Sequence, residues 1–237
     1  MSKETLLLLP GHMCDTRLFA PQIEFFAKTH NIVVADFSSG DSFEIFVRNA
    51  LKAAGDGPLN VCGLSMGGMI AGELAAVAPE RVKRLALLDT TLLPEVAKRT
   101  EARQRRIERA SRDGLAVVAL EELVPSYLAK GNVEREDLRK VLVDMTVDLG
   151  EDVFACQSKA ISQRADRREA LRSLACPVLV LCGDEDALFS VESHRDIAAI
   201  FGDSELVVIP QTGHIATLEA PGAVNSAMAA WLKQPTA

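Results

Sequence analysis

Leu59-Asn60-Val61-Cys62-Gly63-Leu64-Ser65-Met66-Gly67-Gly68 is the stretch on which the fold turns. A mostly apolar run over residues 59–62 has the length and composition of a buried strand. An apolar helical pattern over residues 66–78 starts immediately after it. Between the two stands Gly63-x-Ser65-x-Gly67. A serine hydroxyl presented on so short a strand-to-helix turn requires a strained backbone. Glycines at 63 and 67 remove side chains that would collide with the neighbouring strand and helix. The helix start aims its positive dipole end at charge developing near the serine, and the Met66 N–H is a candidate oxyanion donor. The glycines could instead serve only to pack helix on strand. A phosphate-cradling loop would need GxGxxG or GxxxxGK[ST], which the segment lacks.

Working outward, strand-length apolar runs occupy residues 5–9, 31–35, 85–88, 177–182 and 206–209. Helical patterns fall at residues 18–28, 42–54, 191–200 and 218–232. This alternation predicts an α/β fold with a doubly wound, mostly parallel sheet. It stops between residues 92 and 174, where helical patterns alone are found and Gly114 and Gly131 read as breaks. Glu95/Arg99, Glu101/Arg105 and Glu108/Arg112 are spaced for ion pairs along the first of these helices. The chain therefore divides into a core from 1–91 and 175–237 and an all-helical insertion over 92–174.

The 237 residues are 48% hydrophobic, enough for a sizeable core without disulfide or metal staples. A net charge of −7 argues against nucleic acid or an anionic membrane as partner. The longest leucine run, Leu6 to Leu9, is too short for a membrane span. Five cysteines, an odd count without a CxxC pair, read as reduced thiols and a cytoplasmic location. Cys62 reads as a packing residue, and Cys14 lies near the expected pocket without charges to activate it. No His, Cys or Asp spacing suits a metal, and no cofactor is expected.

The segment at Ser65, with Pro79-Glu80-Arg81-Val82 leading into residues 85–88 and Asp36…Gly40…Ser42 after the second strand, resembles the α/β-hydrolase superfamily. The likeness suggests the small capped esterase and enol-lactonase branch. It implies Ser65 as nucleophile and His214, in Gly213-His214 before the last helix, as its base. Gly183-Asp184-Glu185-Asp186 follows the fifth strand, and the family's spacing selects Asp186 as the acid. Asp184, Glu185 and Asp89 remain rivals. His30 and His194 are expected at the surface. The family's His-Gly-x loop after the first strand is here Pro10-Gly11-His12, so the His12 N–H becomes the second oxyanion donor. The His12 side chain faces either substrate or water.

The resemblance also makes residues 92–174 a cap over the site. Met13, Leu64 and Arg103 are candidate substrate contacts. The cap arginines form either a solvated face or a partner for a substrate carboxylate. The implied activity is hydrolysis of small carboxylic esters or lactones through an acyl-serine. Carbon–carbon hydrolysis or elimination with the same triad, or a binding module that has lost catalysis, are the alternatives. The implied partner is a small-molecule ester or lactone, with neither nucleic acid nor membrane.

Overall fold

A computed structural model describes residues 3–236. Six strands, β1 Thr5–Leu9, β2 Asn31–Val34, β3 Leu59–Leu64, β4 Val82–Leu88, β5 Val178–Gly183 and β6 Ser204–Ile209, form one sheet. Its order is β2-β1-β3-β4-β5-β6, and every ladder is parallel. The direction of winding reverses between β1 and β3, which opens a crevice at the C-terminal strand ends.

Successive side chains of a strand point to opposite faces, so the unbroken apolar runs feed two cores. Leu6, Leu8, Cys62, Leu64, Leu179 and Leu181 pack on one face. They meet Phe26 of α1 (Ala20–Phe26) and Val224, Met228 and Trp231 of α11 (Pro221–Trp231). Leu7, Leu9, Val61, Leu85, Leu87 and Val180 pack on the other. There they meet α2 (Phe43–Ala54), α3 (Met66–Val77) and Ile197 of α9 (Val191–Ala198). Ser42 caps α2 by accepting the Ile45 N–H.

Two of the boundaries that differ from the sequence pattern have local reasons. β4 starts at Val82, earlier than its apolar run, because Arg84 is buried and fully engaged. Its guanidinium donates to Asn60 Oδ1 at 3.0 Å, to Glu4 Oε2 at 3.2 Å and to the Gln234 carbonyl. The final helix is broken before Pro221 into α10 (Ala216–Glu219) and α11, since proline fits a first helical turn and not an interior.

Between β4 and β5 the chain is helical. α4 spans Ala97–Asp113; α5 (Leu115–Val118) leads through one π-helical turn into α6 (Val124–Tyr127). α7 spans Glu136–Ser162 with a break at Gly150, and α8 spans Arg168–Leu171. Of the three expected helical ion pairs, only Glu101–Arg105 approaches, at 3.9 Å. Glu95 lies before the helix start and instead holds Arg103 and Arg164. Glu108 accepts from Gln104, and Arg112 turns to Asp113. No helix among the described residues is long and apolar enough to cross a membrane.

Leu87 is buried at the centre of the sheet against α3. Leu87→Ala should lower unfolding free energy by about 2–5 kcal/mol, because close-packed surroundings cannot collapse onto the void. Urea unfolding with an unchanged m-value would check this; a loss below about 1 kcal/mol would contradict the packing.

Candidate active site

Ser65 follows β3 with φ 55° and ψ −118°, a left-handed conformation that a non-glycine residue adopts only under constraint. The constraint is visible. Its N–H donates to the Leu88 carbonyl at 2.9 Å, and Thr90 Oγ1 donates to its carbonyl at 2.7 Å. A Cβ on Gly67 would run into the Leu9 carbonyl, and one on Gly63 into the Gly67 carbonyl. The turn closes only because both are glycine.

His214 comes from the loop after β6 and is buried. Its Nε2 lies 2.8 Å from Ser65 Oγ, and its Nδ1 lies 2.9 Å from Asp186 Oδ2. Its ring sits between Tyr127 and Phe189, and its N–H donates to the Tyr127 carbonyl at 2.8 Å. With Asp186 ionised, Nδ1 carries the proton and donates, which leaves Nε2 to accept from the hydroxyl. Burial alone would push the Asp186 carboxyl up. The His214 imidazole and the N–H groups of Leu188 and Phe189 outweigh it and hold Asp186 below the usual range.

The rival acids are engaged elsewhere. Asp184 Oδ1 accepts the Thr212 N–H at 3.4 Å, and Glu185 Oε2 accepts the Lys130 N–H at 3.0 Å. Asp89 is buried after β4, accepting the N–H groups of Gly183 and Ala216. Burial and the nearby Asp186 charge push its carboxyl well above the usual range, against the pull of those two N–H groups.

The loop after β1 turns tightly, with the Cys14 N–H donating to the Gly11 carbonyl at 3.1 Å and Met13 at φ 55°. Gln157 of α7 holds that strained residue, accepting the Met13 N–H at 2.9 Å while donating to the Phe37 carbonyl at 3.1 Å. The N–H groups of His12 and Met66 have no protein partner among the described residues. The His12 side chain points inward, with Nε2 3.1 Å from Ser158 Oγ and its ring 5.2 Å from Phe154. Burial, with the charges of Arg103 and Arg106, pushes the imidazole down to about 3.

Ser65 opens into a cavity of about 150 Å³ lined also by His12, Met69, Arg103, Leu123 and Tyr127. Met13 and Leu64, expected to touch substrate, do not line this cavity; both are buried among the core residues. His194 is corrected. It is fully buried, its Nε2 accepting the Thr90 N–H at 3.0 Å and its Nδ1 donating to the Ser190 carbonyl. Its immediate neighbours Ser193 and Arg195 are polar, but His194 shares the buried face of α9 with Ile197, three residues on. The Cys14 thiol is buried and pushed up to about 12 by burial, which disfavours the thiolate form. Among the described residues no group of three or more potential ligands could hold a metal.

Gln157, Ser158 and Glu219 carried no sequence signal. Glu219 accepts from the Gly213 and Ala129 N–H groups, each at 2.9 Å, and so ties the histidine loop to the inserted helices. Their roles depend on chain segments that meet only after folding.

The neutral His12 makes stability sensitive to acid. Above pH 6.5 it is neutral in both states. Between 6.5 and about 3 only the unfolded chain takes up its proton, so stability falls as pH falls. Denaturant unfolding at pH 7 and pH 4 should show His12→Gln losing less than wild type, by up to roughly 1.4 kcal/mol per pH unit. Parallel losses would refute this.

A family model described as alpha/beta hydrolase fold matches residues 9–221. Across 97% of its length the chain is 26% identical to (E)-2-((N-methylformamido)methylene)succinate hydrolase of Acinetobacter baylyi, covering 90% of that protein. It is 29% identical to 3-oxoadipate enol-lactonase 2 of the same organism, over 73% of this chain and 63% of the relative. The fold superposes on a thermophilic esterase from Thermogutta terrifontis, solved with malate bound, with TM-score 0.88 and 26% identity. That match covers 98% of this chain and 90% of the other.

Proposed function

The chain belongs to the α/β-hydrolase fold family, and on that premise we propose that it is a serine hydrolase of small carboxylic esters or lactones. The observation that carries the reading is the continuous chain from Asp186 through His214 to Ser65, at 2.9 and 2.8 Å. In this reading residues 1–91 and 175–237 are the catalytic core, and residues 92–174 are a cap that sets substrate size. Similarity to a named enol-lactonase and a named esterase supports the bond type.

Ser65 Oγ attacks the carbonyl carbon as His214 Nε2 takes its proton. Asp186 keeps the proton on Nδ1 and stabilises the imidazolium. The oxyanion is received by the N–H groups of Met66 and His12, neither of which has a protein partner among the described residues. His214 then protonates the departing alcohol or enol oxygen. Water, deprotonated by the same Nε2, attacks the acyl carbon and releases the acid and Ser65. Every proton passes through one nitrogen, so the reaction needs neither metal nor cofactor.

Ser65→Ala should lower kcat on a short-chain ester by roughly 10⁴-fold or more with thermal stability retained, and abolish labelling by a fluorophosphonate. Full-rate cleavage by the variant would end the proposal. Gln157→Leu frees Met13 from its clamp and should displace the neighbouring His12 N–H. We expect kcat to fall about 10- to 100-fold with little change in KM. A rise in KM with unchanged kcat would remove Gln157 from the positioning of that donor.

A further inference from the structure

The cavity above Ser65 holds more positive charge than its surroundings neutralise. Arg99, Arg103 and Arg106 line it from one face of α4. Arg103 donates through Nε to Glu95 at 2.9 Å, and Arg106 through Nε to Glu122 at 2.8 Å. Among the described residues the η nitrogens of both guanidinium groups make no hydrogen bond. Each carboxylate is also shared, Glu95 with Arg164 at 3.3 Å and Glu122 with Arg109 at 2.7 Å. Among the described residues Arg99 has no carboxylate partner; it donates to the carbonyl of Leu188, which also lines the cavity, and lies over the Phe189 ring. This local excess stands in a chain whose net charge is −7.

Tyr127 supplies an independent observation. It is 9% exposed and lines the same cavity, and its hydroxyl has no hydrogen-bond partner among the described residues. The ring is packed away while the hydroxyl stays accessible from the cavity, where a ligand can replace water as its hydrogen-bond partner. His12, Arg103, Arg106 and Tyr127 all line this one cavity. The free polar atoms named here, guanidinium N–H and phenol O–H, are all donors. Two forked donors and a hydroxyl match a planar anion with two acceptor oxygens.

We propose that Arg103, Arg106 and Tyr127 form a carboxylate-binding subsite beside Ser65, so that the substrate is a small ester or lactone bearing a free carboxylate. The proposal rests on the reading of Ser65 as nucleophile. A cavity of about 150 Å³ keeps the carboxylate only a few bonds from the carbonyl that is attacked. Nε pairing with Glu95 and Glu122 holds each guanidinium and leaves its η nitrogens without a protein partner among the described residues, which limits the ordering cost of binding.

The test compares kcat/KM for monomethyl succinate and dimethyl succinate in wild type, Arg103→Gln, Arg106→Gln and Tyr127→Phe. Wild type should prefer the monoester by about tenfold or more. Each arginine variant should cut that preference about 10- to 100-fold, mainly by raising KM for the monoester, and Tyr127→Phe roughly 3- to 10-fold. Tyr127→Phe keeps the ring and its packing, so it decides the matter even if an arginine variant unfolds. Succinate should also protect Ser65 from a fluorophosphonate in wild type and less in the variants, a comparison that needs no turnover. Equal turnover of both esters by wild type, or a preference and protection that survive in all three variants, would overturn the subsite. Failure of the fluorophosphonate to label Ser65 in folded protein would instead strike the serine-hydrolase reading.

Discussion

The backbone at Gly67 passes so close to the Leu9 carbonyl that no side chain fits between them, and the position of the Ser65 hydroxyl follows from that contact. It joins the start of α3 to the end of β1. Parallel pairing of β3 with both β1 and β4 then brings three strand ends to one edge. The Ser65 N–H is already spent on the Leu88 carbonyl, so the turn cannot relax toward ordinary helix geometry without breaking a buried hydrogen bond. The strain at φ 55° is therefore stored by neighbours that are themselves held by the sheet.

The inserted helices do more than cover this edge. Tyr127 accepts the His214 N–H, Glu219 bridges the histidine loop to Ala129, and Gln157 and Ser158 grip the loop at His12 and Met13. In the proposed reaction the base and one oxyanion donor are thus both positioned by residues 92–174. A change in how these helices pack would alter the chemistry as well as the size of the opening. Their position also explains why His12 stays neutral, since it is enclosed by α7 and faces the arginines of α4.

What could be read from the chain was what is local or periodic. Gly63, Ser65 and Gly67 lie within five residues and announce a turn whose sterics leave few alternatives. Two-faced apolar strands announce a parallel sheet covered by helices. Places after β5 and β6 narrowed the acid to Asp184, Glu185 or Asp186 and suggested His214, and only the family resemblance selected Asp186 among the three. Illegible were pairings across long stretches of chain: Gln157 with Met13, Glu95 with Arg164, and His194 with Thr90. Helical spacing suggested that Glu95 would meet Arg99, but Glu95 lies outside the helix that such spacing assumes. Met13 follows the candidate donor His12 and Leu64 precedes Ser65 in the chain. Adjacent residues on a strand or tight turn point in different directions, and these two point into the core.

Asp89 and Asp186 follow adjacent strands, and both carboxyls are largely buried, yet their surroundings drive them in opposite directions. Asp186 has an imidazole and two N–H groups to stabilise its charge, whereas Asp89 has two N–H groups and a negative neighbour. One carboxylate can be charged at this edge at low cost, and the geometry assigns that charge to the one that touches His214. Asp89 is left to join Gly183 to Ala216, and so to hold together the two loops that carry Asp186 and His214. In the proposed triad the acid is thus the carboxyl that has a proton donor it can orient, and the other is the brace that keeps that donor in reach.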